Sequence, residues 1–197
     1  MALSKYFLNK TIKKLIFYDF VLLFGWGLVY PIISVFVIND IKGGDVKVAG
    51  IAIGVYWIVL SMVQIPVGIY LDNRKGEKDD FYFLAGGALI TALVPFVFKF
   101  AFLPWHIYLF LFIYALGMGI AMPAWFGIFT RHIDGAKEAQ SWAANQSLLG
   151  VGAGVAGIIG GIIAKTYGFP PLFMAVGCTG LLSAFFVLLI RKEIWSK

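Results

Sequence analysis

Apolar positions along the chain gather into six long runs, at about 15–38, 49–71, 81–98, 107–129, 142–164 and 172–190, divided by short polar stretches. A run of 24 residues wound as a helix reaches about 36 Å, enough to cross a hydrocarbon layer of about 30 Å with some tilt. The pattern therefore predicts an all-α integral membrane protein: one domain, residues 1–197, of six transmembrane helices. Pro31 stands inside the first run after Gly25-Trp26-Gly27, and its missing N–H predicts a kink near mid-membrane. Residues 1–14, with Lys5, Lys10, Lys13 and Lys14 among apolar neighbours, read as an amphipathic lead-in at the membrane surface. Trp105 and His106 beside Pro104 read as an interfacial aromatic belt.

Composition sharpens the class. Apolar residues make up 61% of the chain and charged ones 13%, with a mean hydropathy of +0.90, which excludes a soluble catalyst. The net charge of +6 sits in the short segments between apolar runs, so it reports membrane topology rather than a nucleic-acid partner. Twelve basic residues fall in the two termini and the loops 72–80 and 130–138; four, Lys42, Lys47, Lys99 and Lys165, fall on the other side. That bias predicts both termini in the cytoplasm, loops 39–48 and 165–171 outside, and a multi-pass protein of the inner (plasma) membrane. The single Cys178 lies in an apolar run, so neither an internal disulfide, a metal cluster nor a cofactor is expected, and no cleavable signal peptide is expected either.

Seven of the 26 charged residues crowd into the 13 positions from Gly68 to Asp80, between the second and third runs. The order is Gly68, Asp72, Arg74, Gly76 and Lys78, a glycine, an acid four residues on, then a short basic loop with its own glycine. It resembles the loop between helices two and three of the major facilitator superfamily, Gly-x-x-x-Asp-Arg/Lys-x-Gly-x-Arg/Lys-Arg/Lys. Here Asn73 replaces a basic residue, Gly76 comes one place late, and Lys78 alone supplies the trailing bases. A plain positive-inside loop is the competing reading. Span five carries Gly150, Gly152, Gly154, Gly157, Gly160 and Gly161; small-residue spacing of this kind lets helix backbones approach closely in lipid. It also resembles the fifth-helix signature of the family's antiporters, with Ala156 and Gly157 in place of the Gly-Pro pair. A further echo links Gly68–Gly76 at the end of span two with Gly161–Gly168 at the end of span five, as two inverted repeats of three helices each would produce.

The resemblance implies half of such a transporter fold, covering nearly the whole chain, and secondary transport of a small solute by alternating access. Because the family uses two such halves, it also implies a homodimer of half-transporters; a non-transporting membrane subunit or truncated half that binds a partner is the alternative. Lipid and a small-molecule substrate, with a coupling proton or cation, are the partners expected. Asp19 is the acid within an apolar run. It either faces a water-filled cavity, pairs with a base or holds a proton part of the time, or else sits hydrated a turn inside the interface. Trp26, Tyr30, Gln64 and Tyr114 are the polar and aromatic candidates nearer mid-membrane, with helix or lipid packing as their competing role. By resemblance, Asp72 and Arg74, opposite Arg131 and Asp134, would form the cytoplasmic gate. Enzymatic readings fail on motifs: Ser61, Ser147 and Ser183 lie outside any Gly-x-Ser-Gly, span six has no histidine, and no HExxH occurs.

Overall fold

The computed structural model describes residues 8–74 and 76–195; Lys5, Lys75, Lys197 and the side chain of Lys192 lie outside the described residues. Among the described residues seven α-helices follow one another: α1 Lys10–Gly27, α2 Ile33–Asp40, α3 Val46–Asp72, α4 Lys78–Phe98, α5 Pro104–Arg131, α6 Glu138–Tyr167 and α7 Phe169–Trp195. Six helical segments are long and apolar enough to span a membrane, α1 and α2 counting as one, and no strand occurs among the described residues.

Each helix begins and ends for a local reason. Asn9 caps α1 by accepting from Ile12 N–H at 2.8 Å, and Asp45 caps α3 through Val48 N–H at 2.7 Å. Lys10, Lys13 and Lys14 belong to the first turns of α1, so these lead-in residues continue into the first span rather than forming a separate surface element. At Pro31 the helix breaks outright: Leu28 and Val29 N–H close short turns onto Gly25 and Trp26 carbonyls, and a 3₁₀ turn, Tyr30–Ile32, leads into α2. Proline can donate no hydrogen bond to the preceding turn, so the expected kink becomes an interruption. The outer loop read at 165–171 shrinks to Gly168. Its φ of +79° makes the turn, and Pro170 and Pro171 fit the first turn of α7, where their missing N–H groups would have no helical partner.

The helices alternate in direction. Asn9 donates to the His132 carbonyl at 2.6 Å, Lys14 to the Leu189 carbonyl at 3.3 Å and Arg131 to Glu77 at 3.0 Å, so the start of α1, the end of α7, the start of α4 and the 132–137 turn share one side. On the other side Lys42 N–H meets the Phe102 carbonyl at 3.0 Å. The main neighbours are α4 with α5 and α7, α3 with α5, and α1 with α6 and α7. Glycines set the closest of these approaches. A Cβ added at Gly87 would stand 2.5 Å from the Gly117 carbonyl oxygen, so α4 and α5 cross backbone to backbone. In lipid, where hydrophobicity does not drive helices together, such contacts and the packing around them hold the bundle.

Candidate functional site

Asp19 stands in the third turn of α1, about 14 Å along the helix from Lys10 at 1.5 Å per residue. Its side chain lines a cavity of about 190 Å³ between α1, α5 and α6. Asn145 on α6 donates Nδ2–H to Asp19 Oδ2 at 3.0 Å, and is itself 2% exposed. Around this pair stand Trp125, Phe126 and Trp142, with Met118 and Met122 behind them. Trp125 stacks on Phe129 (4.6 Å, 17°) and meets Trp142 edge-on at 5.9 Å, while its indole N–H points to the Leu15 carbonyl at 3.4 Å. The aromatic wall is thereby fixed from both sides.

Leu23, Gln146 and Leu149 are shared with a wider, more open hollow of about 570 Å³ that continues along α1 and α6 to α3. Trp26, Tyr30, Tyr56 and Trp57 line it. Trp26 stacks on buried Tyr114 at 4.5 Å and 16°, and Tyr114 meets Tyr56 at 6.0 Å. Tyr114 is 2% exposed, so it braces Trp26 from behind, whereas Tyr30, 44% exposed, is presented to the hollow from the 3₁₀ turn. Gln64 stands apart from both hollows and donates to Met122 Sδ at 3.3 Å.

The helices flanking this groove are the least covered. In their apolar stretches only 17% of α6 and 28% of α3 is buried, against 50% of α4 and of α5. Stepping 100° per residue separates two exposed faces on each. On α3, Ile51, Ile58, Met62 and Ile69 form an apolar face, Trp57 lines the groove, and Gly50, Gly54, Ser61, Gly68 and Asp72 lie on the flank towards it, with exposed Ile65 at the border between the two. On α6, Val151, Val155, Ile158 and Ile162 form the apolar face, and Gln146, Gly150, Gly154, Gly157 and Gly161 the groove side. The α6 glycines thus divide. Gly152 and Gly160 pack inside the chain, against Phe20 and the Leu28 backbone, and Gly157 lies near Pro31; Gly150, Gly154 and Gly161 have open space around them.

At the end of the bundle where α1 begins and α5 closes, charge is concentrated in a different set from the one expected. Arg131, closing α5, pairs with Asp80 Oδ2 at 2.7 Å and with Glu77 Oε1 at 3.0 Å; His132 Nδ1 lies 3.6 Å from the same Glu77 oxygen. Arg74 instead stacks over Tyr70 at 5.0 Å and reaches Asp79 at 4.0 Å. Asp134 accepts from Asn9 at 3.1 Å and pairs with Lys137 at 3.7 Å. Lys78 is exposed, and Gly76 makes the turn with φ +92°. Asp72 is exposed where α3 ends, on the rim of a hollow that Gly68, Asp80 and Arg131 also line. Sequence reading passed over Asn145, Tyr56, Glu77 and Asp80. For Asn145 a signal existed, the amide pair Asn145-Gln146 inside an apolar run; for Asp80 the signal was masked, because the first turn of α4 reads as more loop. No group of three or more His, Cys, Asp or Glu side chains suited to a metal occurs among the described residues.

A family profile described as Major Facilitator Superfamily matches residues 15–196. Comparison with curated proteins found no match.

Proposed function

The chain belongs to the Major Facilitator Superfamily, a family of membrane transporters, and from that premise we propose that it moves a small solute by alternating access, as one half of a two-fold pair of identical chains. The observation that carries this reading is the groove beside α3 and α6. A hollow lined by an acid, amides and aromatics opens between two glycine-bearing, partly polar helix faces. Lipid cannot satisfy Asp19, Gln146 or Ser61, but a second six-helix body can enclose them with water and solute. A two-fold axis along the membrane normal through the groove would set α3 of one chain against α6 of its partner, and the open glycines would let the backbones approach.

The neighbour pattern supports an inverted repeat. Exchanging α1, α3 and α4 for α5, α6 and α7 carries α3–α5 into α6–α1 and α4–α5 into α7–α1, and leaves α4–α7 unchanged. Orientation follows from the bases: the side with both termini is cytoplasmic, in the inner membrane. On that side Asp72 would meet helix ends of the partner, while the Arg131–Asp80–Glu77 cluster stiffens the α4–α5 corner behind it. A carboxylate near a helix N-terminus is worth about 0.3–1 kcal/mol when exposed, enough to bias a two-state gate several-fold without locking it. A subunit that only binds a partner has no comparable use for a solute-sized hollow.

The test reconstitutes wild-type protein with Asp72→Asn in known ratios and measures solute flux into proteoliposomes. Shared gating predicts activity falling towards the square of the wild-type fraction. A linear decline would contradict paired chains, and no flux from the wild-type protein alone would contradict transport.

A further inference from the structure

The Asp19 cavity offers acceptors at its polar end. Asn145 uses its Nδ2–H on Asp19, which leaves Asn145 Oδ1 buried and without a hydrogen-bond partner. The side chain is 2% exposed, so this oxygen is a desolvated acceptor beside a carboxylate. An unmet buried acceptor is destabilising, and a donor entering the cavity would remove that cost. No lysine, arginine or histidine is among the described residues lining the cavity, so the carboxylate's countercharge does not come from the wall. Trp125, Phe126 and Trp142 surround the same space with aromatic surface, and Leu22, Leu23, Met118 and Met122 complete an apolar body.

We propose that this cavity binds a small lipophilic ammonium: a protonated primary or secondary amine on an aromatic or short aliphatic body. Resting on the reading of the groove as the solute site, this names the class of solute. The charged nitrogen satisfies Asp19, one N–H reaches Asn145 Oδ1, and the aromatic walls favour a cation within about 6 Å of their rings. The body then displaces water from leucine and methionine surface, with about 190 Å³ available for it. A bare alkali cation fits less well. It would find one carboxylate and one amide oxygen in a lining otherwise dominated by carbon and sulfur, where hard cations require several oxygens. A quaternary ammonium would keep the charge but has no N–H for Asn145.

The experiment is equilibrium dialysis of the purified full chain with labelled 2-phenylethylamine at neutral pH. Unlabelled amine, its N,N,N-trimethyl analogue, the neutral isostere n-propylbenzene and NaCl serve as competitors. Saturable binding of one amine per chain is expected, with the trimethyl analogue, which forfeits the charge-assisted hydrogen bond, weaker by about tenfold or more and the hydrocarbon weaker still. Asp19→Asn is expected to lose amine binding tenfold or more, and Asn145→Leu to lose the preference for amine over its trimethyl analogue. Equal competition by the hydrocarbon, displacement by millimolar Na⁺, or undiminished amine binding in Asp19→Asn would each overturn the proposal. The competition series on wild-type protein decides the matter even where a variant does not fold. Amine binding without flux would leave the ligand class standing and sink the transport reading; flux of another solute without amine binding would do the reverse.

Discussion

Asp80 is 2% exposed and bonded to Arg131 at 2.7 Å, while Glu77, 11% exposed, holds the same guanidinium at 3.0 Å. Arg131 is 40% exposed, so solvent screens part of the attraction and the penalty for breaking a buried pair must be reduced accordingly. Asp80→Asn is expected to cost about 1–3 kcal/mol and Glu77→Gln less, read as the shift in unfolding midpoint of the purified protein. Equal effects of the two would show that burial does not set the ranking. Asp19→Asn keeps the size of the side chain and its neighbour Asn145, so the fold should survive while cation-linked flux falls; an unchanged flux and pH profile would return Asp19 to a hydrated interfacial role. At this scale the sequence was partly legible. A lone acid in an apolar run is visible without coordinates, because its desolvation must be met somehow. Its partner lies 126 positions away, and no local pattern could choose Asn145 over Gln146. Separations of 54 and 51 positions likewise hid Arg131's choice of Glu77 and Asp80 over Asp72, which only the packing of α4 on α5 decides.

Helices were the most legible level, since length and hydropathy in lipid leave few alternatives to a span. Helix ends were less so. Capping by Asn9 and Asp45 and the turn at Gly168 carry the helices past the apolar windows into polar residues that hydropathy assigns to loops. The α6 glycines show the same limit, because composition gives their spacing but not which stripe finds a neighbour. Gly160 faces the Leu28 backbone and Gly154 open space, so Gly160→Val should destabilise each chain by about 2 kcal/mol or more through overpacking. Gly154→Val should leave single-chain stability nearly unchanged while weakening self-association. Thermal unfolding and analytical ultracentrifugation in detergent separate the two, and equal destabilisation would erase the distinction between inner and outer stripes. Cysteines placed at Asn39 and at Asp134, on opposite sides of the bundle, are expected to label from opposite sides of the membrane, Asp134 from the cytoplasm. Labelling of both from one side would contradict the six-span arrangement.

Across the whole molecule, transport depends on what covers the groove side of α3 and α6. Helical phase divides each helix into an apolar face suited to lipid and a small or polar face suited to another protein, and the two such faces flank one hollow. In the proposed two-fold pair, α3 of one chain would lie against α6 of the other. Ser61 lies about 23 Å along α3 from Val46, and Gly154 about 20 Å along α6 from Tyr167, at 1.5 Å per residue. Both distances run from the side of the bundle opposite the termini, so the two positions share a depth. With Cys178, exposed on α7, replaced by alanine, chains carrying Ser61→Cys can be co-expressed with chains carrying Gly154→Cys and oxidised in native membranes. A disulfide needs Cα atoms within about 7 Å, so the readout is stringent. Paired half-transporters predict a cross-linked dimer from this pair and none when Ser61→Cys is replaced by Met62→Cys on the lipid face. Cross-linking that is absent from the first pair, or equal in both, would contradict that pairing.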